Sequence, residues 1–296
     1  MKKGEKPMDW ITGIQRALDY VEAHLTEKID FDRVAAESFS SSYHFQRTFS
    51  ILCGHSLGEY VRMRRLTLAG AELASTGAKV IDVALKYGYD SPDSFTKAFR
   101  AFHGITPTEA KRGGAPLRSF SRLSIKISLE GGSTMNYRVE EKAPFSVIER
   151  VEAHDTAGGE NNKTIPTFWD RAATDGTIDT LESLASDNTY IFGICYANPD
   201  KASTKFDYSI AVKCDTGATV PENFRKTEIP ARTWLIFECI GAMPDAIQET
   251  WRKIISEFFP NSPYTPTYEM DIEAYTDGDM SSPDYRSEIW IPVENK

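Results

Sequence analysis

The apolar positions in the first part of the chain recur at the spacing of an α-helix. Between residues 8 and 26 they follow one another at intervals of three and four, which predicts an amphipathic helix with one buried stripe: Ile11, Ile14, Leu18, Val21 and Leu25. Asp30 is then placed to cap a short helix over 33–37, and the serines at 40–42 are placed to cap another. The pattern therefore predicts a run of short helices at the start of the chain.

The helix after these serines separates apolar from polar side chains. Phe45 and Phe49 lie four residues apart on the buried face, while the opposite face presents Tyr43, His44, Gln46 and Arg47. Such a helix suits the major groove of DNA, because Arg can donate two hydrogen bonds to guanine and Gln can pair with adenine. Residues 34–65 thus predict a helix-turn-helix followed by a basic helix.

The same plan occurs a second time along the chain. Val34 and Ala35 correspond to Val83 and Ala84 at an offset of 49 residues, and a second set corresponds at an offset of 50: Phe45, Arg47, Phe49 and Gly54 with Phe95, Lys97, Phe99 and Gly104. The second turn is therefore expected to be one residue longer. Buried and exposed positions repeat together, which favours two helix-turn-helix units over a chance match.

A helix over 57–75 lies between the two copies and carries Arg62, Arg64 and Arg65. At a rise of ~1.5 Å per residue it is long enough to hold the two units about one turn of DNA apart. These arginines could lie on a solvated helix face, but contact with DNA phosphates is the favoured interpretation.

The pattern changes after residue 135 to short alternating runs. Strands are predicted over 137–140, 145–151, 190–196, 206–214, 232–240, 267–275 and 285–292, with helices over 164–174 and 244–259. A strand-helix-strand-strand order used twice predicts an α+β domain whose sheet is covered by helices on one face, with a groove between the halves. Residues 113–134 predict a linker with one possible strand over 123–129.

Charge supports two parts with different partners. The net charge is −9, but residues 1–120 carry 17 Lys and Arg against 14 Asp and Glu, whereas residues 121–296 carry 17 against 29. The four cysteines form no CxxC pair, and no run approaches ~18 apolar residues, so neither a metal site nor a membrane span is expected. The first ten residues lack the apolar region of a signal peptide, so a cytoplasmic protein is predicted. No cofactor is expected.

Carboxylates beside aromatic residues in the second half suggest a site for an organic cation. Alternation places Glu269, Asp271 and Glu273 together, and an ordinary solvated strand face is the favoured interpretation for these three. Glu288 differs because it lies within the apolar run SEIWIPV. Its carboxylate is expected either to form a core ion pair or to contact a ligand, and the sequence does not separate these two alternatives.

Residues 8–112 resemble the double helix-turn-helix domain of AraC/XylS-type transcription regulators. The resemblance is carried by YHFQRTF, GHSLGEYVRMRRL and ALKYGYDSPDSFTKAFRAFHGITPTEAKR. It implies an all-α domain that binds double-stranded DNA, with base contacts from Tyr43, Gln46, Arg47, Asp93, Ser94 and Lys97, and phosphate contacts from Arg62 and Arg65. Contact with RNA polymerase is also implied. Phe39 departs from the family, which usually has Gly or Ala in the first turn.

Residues 135–296 resemble the GyrI-like effector-binding domain. The matching stretches are MNYRVEEKAPFSVIER and EAYTDGDMSSPDYRSEIWIPV. The resemblance implies a ligand-binding Glu in the last strand, which by position is Glu288, accompanied by the candidate aromatic residues Trp169, Tyr208, Trp234 and Trp290.

The leading hypothesis is a DNA-binding transcription regulator whose second domain senses a small aromatic or cationic effector. The alternative is a GyrI-like hydrolase of small electrophilic compounds, with Glu288 as the base that activates water. A domain that only mediates protein contacts is a third possibility. No nucleophile motif or phosphate loop occurs, so an enzyme is not expected. Two recognition helices in one chain would allow a monomer to bind DNA, and the sequence leaves the oligomeric state open.

Overall fold

The computed structural model describes residues 10–38, 42–123, 134–156, 159–187, 189–200 and 203–295, without the side chains of Trp10, Ile11, Tyr43 and His44. Phe39 and the serines at 40 and 41 lie outside the described residues. So does most of the strand predicted over 123–129, and Leu123 itself is not in a strand.

The described residues before 113 form helices. These are α1 (Trp10–Ala23), α2 (Phe31–Glu37), α3 (Ser42–Cys53), α4 (Leu57–Thr76), α5 (Val80–Lys86), α6 (Pro92–His103) and α7 (Pro107–Lys111). Asp30 caps α2 by accepting hydrogen bonds from the backbone N–H groups of Asp32 and Arg33, as predicted. Ser56 and Glu59 form a capping box at the start of α4. Helix α4 therefore begins sharply, directly after the first helix-turn-helix.

Each helix-turn-helix packs its own core. Phe45 and Phe49 of α3 lie in one cluster with residues of α1, α2 and α4, whereas Phe95 and Phe99 of α6 lie in a second cluster with residues of α4 and α5. Four residues separate α2 from α3 and five separate α5 from α6, so the second connection is one residue longer, as the repeat predicted. Helix α4 has 20 residues and contributes to both cores. It is the element that fixes the two units in one domain.

A buried network joins α4 to α1 and to the chain after α7. The Arg64 guanidinium donates to both oxygens of Glu22 at 2.8 and 2.9 Å, and the Tyr60 hydroxyl donates to the same carboxylate at 2.5 Å. Arg64 also donates to the Phe120 carbonyl at 2.6 Å, and the Phe120 N–H donates to Thr67. The described part of the predicted linker therefore packs on the helical domain up to residue 123.

The second domain is an antiparallel sheet. Its strands are β1 (Tyr137–Lys142), β2 (Phe145–Asp155), β3 (Ile191–Tyr196), β4 (Lys205–Cys214), β5 (Arg225–Ile229), β6 (Arg232–Ile240), β7 (Tyr264–Pro266), β8 (Met270–Tyr275) and β9 (Arg286–Asn295). The spatial order is β1-β6-β9-β8-β3-β4-β2-β5, with β7 paired to β9. A single sheet thus runs through the whole second domain.

Helices pack on one face of this sheet. They are α8 (Asn161–Ala172), α9 (Thr177–Leu184) and α10 (Asp245–Lys253), which continues through a π-helical turn over Ile254–Phe258 into α11 (Phe259–Asn261). The sequence predicted a helical domain followed by an α+β domain, and this layout is confirmed. It did not predict α9, β5 or β7. The short strands β5 and β7 lie beside longer neighbours, and their few residues show little alternation.

The packing of α4 against α6 depends on the absence of a side chain at Gly70. A Cβ at this position would lie 2.8 Å from both Cε1 and Nε2 of His103. The His103 ring cannot easily move, because Nε2 donates to the Leu66 carbonyl at 2.9 Å and Nδ1 accepts from the Arg118 N–H at 3.2 Å.

We predict that Gly70→Ala destabilises the protein by about 1–3 kcal/mol, because overpacking outweighs the better helix propensity of Ala. Gly217→Ala is the matched control, since a Cβ there meets nothing within 4 Å. Denaturant unfolding followed by circular dichroism measures both. Equal stabilities of the two variants would contradict the tight contact.

His103 also predicts a pH dependence. Burial lowers the pKa of His103 below its ordinary value of 6.5, and a proton on Nδ1 would face the Arg118 N–H. A lowered folded-state pKa stabilises the protein above pH 6.5, and this contribution is lost as the pH falls. We expect the free energy of unfolding to decrease between pH 7 and 5, and to decrease less in His103→Gln. Parallel profiles for the two proteins would refute this role.

Candidate nucleic-acid interface and effector site

The second recognition helix, α6, presents its polar face to solvent. Asp93, Ser94 and Lys97 are all exposed, whereas Phe95 and Phe99 are fully buried beneath them. Ser91 caps the helix by accepting a hydrogen bond from the Ser94 N–H. The three residues expected to contact bases therefore lie together on an accessible surface.

The first recognition helix, α3, is in a different environment. The Arg47 guanidinium forms an ion pair with Asp271 of β8 and lies over the Trp251 ring of α10, 4.5 Å from its centroid. Gln46, expected on the exposed face, is only 3% exposed, and its Nε2 donates to Ser42 at 3.2 Å. The expected exposure of Gln46 is wrong in this arrangement, in which α3 packs against α10. The side chain of Tyr43 lies outside the described part.

The two arginines predicted to contact phosphates differ in accessibility. Arg62 is 59% exposed and lies 4.0 Å from Glu59. Arg65 donates to the carbonyls of Leu25 and Glu27 and packs against Gly88, and burial lowers its pKa. Arg65 therefore holds the loop between α1 and α2, which corrects the expected phosphate contact. Arg62 remains available for that contact.

The strand register separates the five predicted ligand residues onto two faces of the sheet. Trp234, Glu288 and Trp290 share one face, because Ile236 pairs with Trp290 and Ala274 with Glu288. Tyr208 lies on the other face, in the cluster that contains α8 and Trp169, and the Trp169 Nε1 donates to the Tyr208 hydroxyl at 3.0 Å. The structure therefore does not bring the five residues into one site.

Glu288 is neutralised on its face. The Arg138 guanidinium donates to both Glu288 oxygens at 2.7 and 3.1 Å, and Trp290 Nε1 donates to Oε2 at 2.7 Å. Trp234 is fully buried, and Lys142 lies over the Trp290 ring. Of the two alternatives left open by the sequence, the structure shows the ion pair.

The helix-covered face holds a second set of aromatic and acidic side chains, which we call the aromatic–carboxylate cluster: Trp169, Tyr208, Trp251, Asp271, Glu273 and Tyr275. Trp251 Nε1 and the Tyr275 hydroxyl each donate to Glu273 at 2.8 Å. The rings of Trp169 and Tyr275 meet edge to face, with their centroids 5.3 Å apart. Burial and then the charge of Glu273 raise the pKa values of Tyr208 and Tyr275 well above the usual range. Both tyrosines therefore act as neutral hydrogen-bonding groups.

The acidic members of this cluster are residues that sequence reasoning assigned to solvent. Asp271 is only 6% exposed and Glu273 is half-buried, so the expected solvated face is wrong for both. Glu269, by contrast, is exposed and pairs with Arg232, as that interpretation expected. The alternation was correct, but it could not show that helices cover this face. One sequence signal could have indicated the site: alternation places the aromatic Tyr275 on the same strand face as Asp271 and Glu273.

A double helix-turn-helix domain joined to a helix-covered sheet with an aromatic–carboxylate cluster defines a class: DNA-binding transcription regulators with an effector-binding domain. Residues 34–113 match the model of a helix-turn-helix domain, which confirms the predicted AraC-type module. Residues 138–293, more than half of the chain, match the model of the integron-associated effector binding protein. The chain belongs to this family.

Similar curated proteins are transcription regulators that match the helical domain. The transcriptional activator AarP of Providencia stuartii is 43% identical over 95 residues, covering 32% of this chain and 70% of AarP. The right origin-binding protein of Escherichia coli K12 is 37% identical over 105 residues, covering 36% of each chain. The regulatory protein SoxS of Salmonella typhimurium is 35% identical over 96 residues, covering 32% of this chain and 90% of SoxS.

Solved structures match each domain separately. The structure of SAV2435 bound to tetraphenylphosphonium is 27% identical with a TM-score of 0.48, covering 54% of this chain and 94% of that one. An AraC-type regulator from Chromobacterium violaceum is 25% identical with a TM-score of 0.32, covering 34% and 89%.

These comparisons do not support the hydrolase alternative, because the relatives are named as regulators. Within the described ranges, no group of three or more His, Cys, Asp or Glu side chains is placed to hold a metal ion. The helices described here include none that is long and apolar enough to cross a membrane.

Proposed function

We propose that the chain regulates transcription by binding duplex DNA with α3 and α6 and by sensing a hydrophobic organic cation in its second domain. DNA binding rests on the exposed face of α6 and on the length of α4. Its 20 residues extend about 30 Å, close to the ~34 Å of one turn of DNA, so the two recognition helices suit successive major grooves. Similarity to an activator supports activation through contact with RNA polymerase.

Glu273 is the observation that carries the cation proposal. Its hydrogen-bond donors are an indole and a phenol, and among the described residues no Lys, Arg or His side chain forms an ion pair with it. Glu149, on another part of the sheet, is fully buried but receives Arg225 at 2.8 Å and the hydroxyls of Tyr196 and Ser209. Glu149 is therefore structural, whereas the charge of Glu273 is available for a cationic ligand held against aromatic rings.

The face with Glu288 is the competing location, because three of the expected ligand residues, Trp234, Glu288 and Trp290, lie there. A cation would have to displace Arg138 from Glu288. The neighbouring cavity of about 320 Å³ is lined by Phe145, Phe192 and Trp290, but also by Lys142 and Lys213. Two lysines repel a cation, so this face suits the proposal less well.

We also propose that the second domain contains a duplicated unit. In the first unit, α8 and α9 lie between β2 and β3 along the chain, and β4 follows. In the second unit, α10 lies between β6 and β8, and β9 follows. In each triplet the last strand lies between the other two, and the triplets meet at β3 and β8. The proposed domains remain 1–112 and 135–296, with 113–134 between them.

The DNA assignment predicts that Lys97→Ala weakens binding by about 1–3 kcal/mol, the usual value of one base contact. Lys163→Ala, an exposed site in the second domain, makes the same change in net charge and should have no effect. Fluorescence anisotropy with duplex DNA enriched from a random library measures both. Equal affinities of the two variants would refute α6 as a recognition helix.

The effector assignment predicts that Glu273→Gln weakens binding of tetraphenylphosphonium at least about tenfold, since the amide removes the charge that a cation requires. Glu288→Gln should leave binding nearly unchanged. Calorimetric titration measures both, and tetraphenylborate, an anion of the same shape, should not bind. Loss of binding in Glu288→Gln alone would place the effector on the opposite face of the sheet.

A further inference from the structure

We propose that Arg47 is an internal ligand of the aromatic–carboxylate cluster, so that the effector and the first recognition helix compete for one cation site. This inference rests on the proposed function. In the closed arrangement Arg47 occupies the cluster and α3 is withheld from DNA. A bound organic cation replaces Arg47, frees α3 and strengthens DNA binding.

The contacts of Arg47 are those that an organic cation would make. Its guanidinium pairs with the buried Asp271 carboxylate and stacks over the Trp251 ring. The second oxygen of Asp271, Oδ1, is buried without a hydrogen-bond partner. The indole of Trp251 in turn donates to Glu273, so Arg47 and the proposed effector share the same aromatic wall. The cluster thus holds two carboxylates beside one guanidinium.

The docked helix cannot enter a DNA groove. Ile51, one turn after Arg47, packs into the apolar cluster that contains Trp251, Ile247 and Ile254 of the second domain. The major groove is ~12 Å wide, and an α-helix with its side chains has a diameter of about 10–12 Å. A helix with α10 attached to its reading face is too wide for the groove. DNA binding by α3 therefore requires that the domains separate here.

A second contact closes the same interface. Gly159, just before α8, lies against Ser56 at the start of α4, and a Cβ at Gly159 would be 2.9 Å from the Ser56 Cβ. The domains thus meet at α3 and at the turn that follows it. Helix α6 is the internal comparison: Lys97, which corresponds to Arg47 in the repeat, is exposed. Only the first of the two recognition helices is withheld.

Competition with Arg47 would let the effector shift the equilibrium between the closed and open arrangements. A ligand shifts such an equilibrium only if its affinity differs between the states. A cation in the cluster meets electrostatic repulsion from Arg47 in the closed arrangement and none in the open one. The effector and DNA therefore bind cooperatively, with the same coupling seen from either ligand.

Asp271→Asn tests the coupling without altering the DNA-reading side chains. The amide has the same shape but cannot hold Arg47 by charge, so we expect the effector-free variant to bind the enriched duplex about tenfold more tightly than the wild type. Saturating tetraphenylphosphonium should tighten binding by the wild type and change binding by the variant less than about twofold. Glu269→Gln, an exposed carboxylate just before β8, is the matched control and should resemble the wild type.

Hydrogen exchange of the full chain provides a measurement that needs no DNA. Tetraphenylphosphonium should increase amide exchange over 42–53 in the wild type, and Asp271→Asn should show fast exchange there without it. Exchange over 92–103 should not change. This measurement also remains interpretable if the duplex binds none of the proteins.

The two proposals fail in different ways. If DNA affinity is the same in the wild type and in Asp271→Asn, and the cation leaves exchange over 42–53 unchanged, Arg47 is not an internal ligand, although DNA binding stands. If no protein binds duplex DNA but the cation still frees 42–53, the competition stands and the proposed function is wrong.

Discussion

The contact between Arg47 and the second domain decides which surfaces of this protein are available. A guanidinium that pairs with a buried carboxylate and stacks on an indole combines charge with apolar packing, and burial of Asp271 makes the pair costly to break without a replacement. It joins α3, the first predicted recognition helix, to the strand that carries Glu273. The accessibility of α3 thus depends on how the two domains are arranged.

The sheet separates two kinds of carboxylate environment. On the face without helices, Glu288 forms an ion pair with Arg138 beside the buried Trp234 and Trp290. On the helix-covered face Asp271 and Glu273 lie under α10, where aromatic side chains replace water. The carboxylates on the two faces therefore differ in environment, because helices cover Asp271 and Glu273, whereas the face with Glu288 buries side chains of the strands against one another.

The helical domain is organised around α4, which serves both helix-turn-helix units. Its capping box fixes where it begins, Arg64 joins it to α1, and Gly70 admits the buried ring of His103. These features keep the two recognition helices at a fixed spacing within the domain. The proposed separation of the domains would therefore expose α3 while the helical domain itself stays intact.

The sequence by itself determined the two helix-turn-helix units, the longer second turn, the helical and sheet domains and the alternation of β8 and β9. Each of these follows from local periodicity, capping and repetition, which act over a few residues. Short elements with little periodicity, α9, β5 and β7, were not predictable in this way. The tertiary structure decided which face of the sheet is covered, whether Arg65 meets phosphate or backbone carbonyls, and where Gln46 and Arg47 lie. Those outcomes depend on contacts between residues distant in sequence, 40 positions apart for Arg65 and Leu25 and 224 for Arg47 and Asp271, and no local pattern encodes such pairings.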